Sequence, residues 1–201
     1  MKKFVYLISP NKIYKDFYKT LDKVLSAKNT AIFQLRLKKT NKKKILKISK
    51  NIKKITKKHK VRFLLNDDFD LAIKVNSDGC HMGQLDGSII IARNKLKRKI
   101  LGITCHNSKK LAQNALKFKV DYVAFGSFYK SKLKPNAVKA NFKILKWAKK
   151  NIKKPIVAIG GINNKNYKKL INFGAKYIAL SSHIWDNPKL KPEFAIREFK
   201  W

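Results

Sequence analysis

Acidic residues are scarce in this chain of 201 residues, where 11 Asp and Glu stand against 49 Lys and Arg and give a formal net charge of +38. This balance predicts electrostatic attraction to polyanions and to phosphorylated small molecules. Arginine is scarce too: the only arginines are Arg36, Arg62, Arg93, Arg98 and Arg197. Nucleic-acid readers favour the bidentate guanidinium fork. We therefore interpret most lysines as solvated surface and expect no specific nucleic-acid partner.

Cysteine and long apolar runs are also rare. Cys80 and Cys105 have no metal-site spacing, and no apolar run approaches the roughly 20 residues of a membrane-spanning helix. The apolar run near the basic start is too short for a signal peptide. We therefore expect a cytoplasmic protein with reduced thiols and no membrane partner. Hydrophobic residues make up 44% of the chain, which excludes a disordered polycation and allows a sizeable core.

Short apolar runs typical of β-strands recur along the chain, with room for one helix between neighbours. They are FVYLIS (4–9), AIFQLRL (31–37), VRFLLN (61–66), GCHMG (79–83), KILGIT (99–104), YVAFGSF (122–128), PIVAIGG (155–161) and YIALSSHI (177–184). The Lys-rich segments between them show helical periodicity, as in the stripe of Ile45, Ile48, Ile52 and Ile55. No linker rich in Gly, Pro or Ser divides the chain, so we expect one domain over residues 1–201.

Strands that alternate with helices predict parallel pairing through right-handed crossovers. Eight such strands are the number that closes a (β/α)₈ barrel. The open doubly wound sheet is the rival, but its Gly-x-Gly-x-x-Gly turn is missing after the first run. The sequence therefore predicts the α/β class and a single TIM barrel, with its active site at the carboxyl ends of the strands.

The second run carries cations at its end. Strand alternation in FQLRLK places Gln34, Arg36 and Lys38 on one face, which points into the barrel mouth. Arginine inside a protein needs an anionic partner. An internal salt bridge, for example from Arg36 to Asp67, is one interpretation. Two cations on one face in a chain short of carboxylates favour the other interpretation, a phosphorylated ligand.

Carboxylates follow the third and fourth runs. Asp67 and Asp68 come from LLNDD, and Asp86 comes from GQLD. Carboxylate oxygens suit Mg²⁺, which takes one or two carboxylates together with substrate phosphates and water. Alternatively, Asp67 or Asp68 caps the next helix. The combination of Asp67 and Asp86 beside a cationic strand favours the metal.

The segment IGGINNKN (159–166) places a glycine pair at the end of the seventh run, where Asn163 or Asn164 is expected to open a helix. Glycines let backbone N–H groups approach an anion, and this part of a TIM barrel is its usual phosphate site. A tight turn that needs glycine is the alternative. His81 and His106 are candidate proton carriers, although for His81 a hydrogen-bonded role in shaping the site is favoured.

Across nearly the whole chain, the stretches QLRLK, FLLNDDFDLA, DGCHMGQLD, LGITCHN, DYVAFGSFYKSKLKP, IVAIGGIN and GAKYIALSSHI resemble, in this order, the thiamine-phosphate synthases. The resemblance implies a TIM-barrel transferase with Mg²⁺ as cofactor. Its substrates would be 4-amino-2-methyl-5-hydroxymethylpyrimidine diphosphate and 4-methyl-5-hydroxyethylthiazole phosphate, or the carboxylated form of the latter. The products would be thiamine phosphate and pyrophosphate, by a dissociative mechanism.

The resemblance also implies roles for single residues. Arg36, Lys38, Asn66 and Lys134 would bind the diphosphate, Gln34 and Thr104 the pyrimidine, Ser131, Gly161, Ser181 and Ser182 the thiazole phosphate, and Asp67 and Asp86 the Mg²⁺. One departure stands at Leu133, where the family usually has threonine. The hydrogen bond lost there would cost about 1 kcal/mol.

Two other functions remain open from the sequence. A related thiazole tautomerase would share the barrel and use His106 to move a proton, but the diphosphate and metal residues favour the synthase. A polyanion-binding basic protein would explain the charge, yet the chain lacks any recognition motif. The sequence leaves homo-oligomer formation undetermined.

Overall fold

A computed structural model describes residues 3–130 and 139–201 of the chain. Within these ranges eight strands form a closed, fully parallel barrel in chain order, and β1 pairs with β8 to complete it. The strands are β1 (Val5–Ile8), β2 (Thr30–Leu35), β3 (Arg62–Asn66), β4 (Gly79–Met82), β5 (Ile100–Thr104), β6 (Tyr122–Phe125), β7 (Ile156–Ile159) and β8 (Tyr177–Leu180). The predicted TIM barrel is confirmed, and the carboxyl ends of its strands meet on one rim.

Helices alternate with the strands and cover the barrel. They are α1 (Phe17–Leu25), α2 (Lys42–Lys58), α3 (Phe69–Lys74), α4 (Ile89–Leu96), α5 (Lys109–Lys117), α6 (Phe142–Asn151), α7 (Tyr167–Asn172), α8 (Ser182–Trp185) and α9 (Pro192–Ala195), followed by a 3₁₀ turn (Ile196–Glu198). The isoleucine stripe lies on α2 as predicted: Ile48 and Ile52 are buried, and Ile45 and Ile55 pack against the core. In the described ranges no helix has the length and apolar content needed to cross a bilayer.

The core has two layers. The larger layer fills the space between the barrel and the helices, where Phe33, Leu35 and Leu37 pack. The smaller layer fills the barrel interior and includes Tyr6 and Tyr122. Successive strand residues therefore alternate between the two layers, as the pleat requires. The prediction that the three apolar residues of FQLRLK face the helices is therefore confirmed.

The last strand is shorter than predicted. β8 ends at Leu180, and the segment SHIW (182–185) forms α8 instead of continuing the strand: Trp185 donates its backbone N–H to Ser181 O at 3.0 Å. The Trp185 indole Nε1 also donates to Ile8 O at 2.6 Å and so anchors this turn to the end of β1. The tertiary contact decides the local structure here.

The helix after β7 also begins later than predicted. The expected start at Asn163 or Asn164 is wrong, since α7 begins at Tyr167. The Asn163 Oδ1 accepts from the backbone N–H of Lys165 at 2.9 Å, and the Asn166 Oδ1 accepts from the N–H of Asn163 at 2.9 Å. These side-chain bonds stabilise a turn that competes with the helix.

Candidate active site

The end of β2 places Gln34 inside the barrel and Arg36 on its rim. Gln34 is buried, whereas Arg36 is half-buried just beyond the strand. Ser9, which follows β1, holds this segment: its backbone N–H donates to Gln34 O at 2.9 Å, and its Oγ accepts from the Arg36 N–H at 2.9 Å. The Arg36 guanidinium reaches Asn11 Oδ1 at 3.4 Å. Among the described residues it forms no ion pair, so the predicted alternative of an Arg36–Asp67 salt bridge is wrong.

Lys38 makes the ion pair instead. Its Nζ lies 3.4 Å from Asp67 Oδ2, and its side chain is about half exposed. The strand has already ended at Leu35, so the backbone beyond it is free to carry Lys38 towards Asp67, at the end of the neighbouring β3. Lys38 is therefore paired with a carboxylate, whereas Arg36 has no carboxylate partner within residues 3–130 and 139–201 and is available to an anion.

Asp67 and Asp68 have different environments although they are neighbours. The Asp68 Oδ1 accepts from the Leu71 N–H at 2.8 Å and caps α3, so the capping interpretation is correct for this residue. Asp67 takes a positive φ of 68° and donates its N–H to His81 O at 2.8 Å. The Asp67 carboxyl does not cap the helix: it pairs with Lys38 and lies close enough to Asp86 for that carboxyl to raise its pKa.

The pair of Asp67 and Asp86, called the carboxylate pair below, has pKa shifts of opposite sign. Burial and the nearby Asp86 raise the pKa of Asp67 to about 6. Burial also opposes ionisation of Asp86, but the neighbouring Asp67 and the hydrogen bond from the Gly83 N–H, at 2.6 Å, outweigh it and lower the Asp86 pKa. Two carboxylates held this close repel each other when both are ionised. A cation between them would remove that repulsion.

The carboxylate pair fits Mg²⁺, which needs few protein ligands, better than it fits a metal whose ligands all come from the protein. In the described part of the chain, no group of three or more His, Cys, Asp or Glu side chains could hold a metal ion. Two carboxylates on a rim that also carries Arg36 and Lys38 match the Mg²⁺ preference for few protein ligands completed by water and substrate phosphates.

The floor of the site is polar. The Gln34 Nε2 donates to Asn66 Oδ1, which joins the ends of β2 and β3. Thr104, at the end of β5, lies 2.8 Å from His81 Nε2 through its Oγ1, and the Gln84 Nε2 donates to Thr104 O at 2.5 Å. Both residues assigned to the pyrimidine therefore lie at the inner end of the barrel mouth. His81 has the hydrogen-bonded role that the sequence favoured, and the residue is buried.

The opposite side of the rim carries the glycine pair and two serines. Gly160 and Gly161 have φ of +107° and +60°, and a Cβ on Gly161 would lie 2.4 Å from Lys130 O. The backbone therefore needs glycine here whether or not a phosphate binds. The Ser181 Oγ donates to Ser9 O at 3.2 Å, so Ser9 connects the end of β8 to the end of β2. Ser182 begins α8 and is half-buried.

Three residues of the predicted loop lie outside the described residues. They are Ser131, Leu133 and Lys134.

Cys105 is buried in the outer core. His106 is exposed at a positive φ of 51°, directly after β5.

The sequence did not identify Ser9, Tyr6 or Tyr122. Ser9 acts through its backbone and through an Oγ that bonds to the Arg36 backbone, and such contacts leave no motif. The two tyrosines did carry a signal, because strand alternation places them on the inward faces of β1 and β6, where a phenol needs a hydrogen-bond partner.

The sequence model of the protein family thiamine monophosphate synthase matches residues 5–184 of this chain. The chain belongs to the thiamine monophosphate synthase family. A thiamine-phosphate synthase of Pelagibacter ubique is 55% identical over 201 residues, covering 99% of this chain and 97% of the relative. One of Erythrobacter litoralis is 37% identical over 186 residues, covering 90% and 87%. The resemblance read from the motifs is confirmed.

A solved structure supports the family at the level of the fold. The thiamine phosphate pyrophosphorylase of Pyrococcus furiosus superposes with a TM-score of 0.86 at 25% identity, covering 97% of this chain and 92% of that one. The charged rim of β2, β3 and β4 in this chain lies where TIM barrels place their catalytic groups.

Proposed function

We propose that the chain is a transferase that couples 4-amino-2-methyl-5-hydroxymethylpyrimidine diphosphate to 4-methyl-5-hydroxyethylthiazole phosphate, or to its carboxylated form. The products are thiamine phosphate and pyrophosphate, together with CO₂ when the carboxylated form is the substrate. The observation that carries the proposal is the rim of β2–β4, where Arg36 and Lys38 lie beside the carboxylate pair. The full-length similarity to thiamine-phosphate synthases supports the same reaction. Soluble phosphorylated substrates also suit the expected cytoplasmic location.

The diphosphate binds at this rim in the proposed complex. Arg36 contributes a planar cation that can pair bidentately with phosphate oxygens, and Lys38 contributes a second charge. Asn66 adds an amide donor, and Lys134 is proposed as a further cation. Asp67 and Asp86 would hold Mg²⁺, which when bound neutralises charge on the diphosphate.

The chemical step breaks the bond between the pyrimidine methylene carbon and the diphosphate oxygen. The electron pair leaves with the oxygen, and the resulting carbocation is captured by the thiazole nitrogen, which forms the new C–N bond. No side chain has to act as a nucleophile. Arg36 and Lys38 stabilise the charge that develops on the departing diphosphate, so the contribution of the protein is electrostatic and positional.

The two organic halves are oriented by opposite sides of the barrel mouth. Gln34 and Thr104 hold the pyrimidine over the polar floor, next to the diphosphate groups. Gly161, Ser181 and Ser182, together with Ser131, bind the thiazole phosphate at the ends of β7 and β8. This arrangement would point the thiazole nitrogen at the methylene carbon, and the closed floor limits the access of water to the carbocation.

A coupling assay tests the proposal. Purified protein with Mg²⁺ and both substrates is expected to form thiamine phosphate and pyrophosphate in equal amounts, as measured by chromatography and a pyrophosphate assay. Conversion of a thiazole phosphate tautomer without pyrophosphate release would support the tautomerase instead. Absence of product from folded protein, whose fold is checked by circular dichroism, would refute the synthase.

A further inference from the structure

Polar side chains cross the barrel interior in an unbroken series of hydrogen bonds, called the interior chain below. Its six members are Thr104, His81, Tyr122, Tyr6, Gln34 and Asn66, in spatial order. They come from six different strands, and the series runs from the proposed pyrimidine side of the floor to the diphosphate rim. None of these contacts is an ion pair.

The distances within the interior chain are short. The His81 Nε2 lies 2.8 Å from Thr104 Oγ1, and its Nδ1 lies 2.7 Å from the Tyr122 hydroxyl. That hydroxyl lies 2.7 Å from the Tyr6 hydroxyl, which donates to Gln34 Oε1 at 2.7 Å. The Gln34 Nε2 then donates to Asn66 Oδ1. Each bond is at or below the usual hydrogen-bond length for its atom types.

The fold makes room for the centre of the interior chain. A Cβ on Gly102 would lie 1.8 Å from Tyr122 Cζ, so the Tyr122 ring occupies the space that a side chain would fill. The His81 and Tyr122 rings stack at a centroid distance of 5.6 Å, and Tyr6 meets Tyr122 edge-on at 5.8 Å. These contacts leave each hydroxyl little freedom to turn to another partner.

Each tyrosine has one hydroxyl hydrogen to donate. Burial raises the pKa of Tyr6 and of Tyr122 far above the ordinary phenol value, so both stay protonated. Because Tyr6 gives its hydrogen to Gln34, it must accept from Tyr122. Tyr122 has then used its own hydrogen and must accept from His81 Nδ1–H. All hydrogen bonds in the interior chain therefore point the same way.

The direction of these hydrogen bonds is set by Asn66 at the diphosphate rim. Its assignment therefore rests on the proposed function. Diphosphate oxygens only accept hydrogen bonds, and therefore Asn66 must turn its amide NH₂ towards them and its Oδ1 towards Gln34. That orientation requires Gln34 to face Asn66 with its NH₂ and Tyr6 with its oxygen, in agreement with the structure. A reversed Asn66 would reverse every bond in the series.

We propose that Tyr6 and Tyr122 are positioning residues that hold neutral His81 in its Nδ1–H tautomer. The Nε2 lone pair of His81 then accepts the Thr104 hydroxyl hydrogen. Thr104 has no second hydrogen, so its oxygen presents only an acceptor to the substrate. A pyrimidine with an N–H group facing the Thr104 oxygen, such as a ring amino substituent, can donate to it. The site consequently selects such a pyrimidine over one with a carbonyl oxygen in the same place.

Nitrogen-15 NMR of the substrate-free protein reads the tautomer directly. At pH about 8.5, above the usual imidazole pKa of about 6.5, the two ring nitrogens of a neutral histidine differ strongly in shift. We expect His81 to show a protonated Nδ1 and an unprotonated Nε2, its signals being assigned through the His81→Gln variant. A protonated Nε2 in the unaltered protein would overturn the proposal.

The Tyr122→Phe variant removes the acceptor of the His81 Nδ1–H, and Tyr167→Phe is its control. Tyr167 is also a buried tyrosine, but its hydroxyl donates to Lys200 O at 2.7 Å, outside the barrel interior. We expect Tyr122→Phe to give mixed His81 tautomers, whereas Tyr167→Phe leaves the His81 signals unchanged. Unchanged signals in Tyr122→Phe would count against the proposal.

Kinetics then separate positioning from general stability. Tyr122→Phe should raise the KM for the pyrimidine diphosphate about fivefold to tenfold and leave the KM for the thiazole phosphate unchanged. Equal changes in both constants would indicate a merely structural role. The NMR experiment needs no turnover. A negative coupling assay would therefore refute the synthase, whereas the NMR signals of His81 would still decide which tautomer is present.

Discussion

The Asp67→Asn variant is expected to form thiamine phosphate about 100-fold more slowly than the unaltered protein, and to need more Mg²⁺ for half-maximal rate. The reason is that asparagine keeps the size of the side chain but removes the charge that would bind the cation beside Asp86. A Mg²⁺ titration of the initial rate, at saturating concentrations of both substrates, measures the two effects together.

Asp70→Asn is the matched control for this experiment. It removes the same charge three residues further along the chain, where the Asp70 carboxylate pairs with Lys95 at 2.8 Å on the surface. We expect its rate and Mg²⁺ requirement to be unchanged, because exposed ion pairs contribute little. The melting temperature of metal-free Asp67→Asn should not fall, since the substitution removes the repulsion with Asp86 and the Lys38 ion pair that it also removes is half exposed. A rate loss shared equally by both variants would contradict the metal site.

Arg36→Ala is expected to lower kcat by about 10² to 10³, the scale on which an enzyme loses one preorganised group that stabilises developing charge. Arg36 lies half-buried at the rim and, among the described residues, it has no carboxylate partner. In the proposed complex its charge therefore acts on the diphosphate and not on the fold. Steady-state kinetics with both substrates varied provide the measurement.

Lys54→Ala and Arg36→Lys complete the comparison. Lys54 is exposed on α2, and its removal is expected to change kcat less than twofold, because a solvated surface charge is screened. Arg36→Lys keeps the charge and loses the planar fork, so its rate should fall between those of Arg36→Ala and the unaltered protein. If Lys54→Ala slowed the reaction as much as Arg36→Ala, general charge and not the site would be responsible.

Much of the barrel follows from short-range patterns. Parallel strands buried on both faces produce the recurring apolar runs, and the helices between them need an apolar stripe such as that of Ile48 and Ile52. The period of two in FQLRLK also separated Gln34 from the apolar residues beside it. These features depend on residues close in the chain, which explains why the sequence predicts them.

Long-range contacts explain what the sequence did not predict. The choice of Lys38 over Arg36 as the partner of Asp67 depends on the backbone after β2 has left the strand. The interior chain joins Tyr6 to Tyr122 across 116 positions of sequence. The short helix α8 replaces the end of the predicted eighth strand, where Trp185 is anchored to Ile8. No local pattern encodes such pairings.

The central claim is that position on the barrel rim, and not the overall charge of +38, gives this chain its diphosphate site. Titration calorimetry with pyrophosphate, in about 0.15 M salt where the Debye length is about 8 Å, tests it most directly. The expected result is one pyrophosphate per chain, bound only with Mg²⁺, lost in Arg36→Ala and kept in Lys54→Ala. Several weak sites that ignore Mg²⁺ and weaken equally in both variants would contradict the claim.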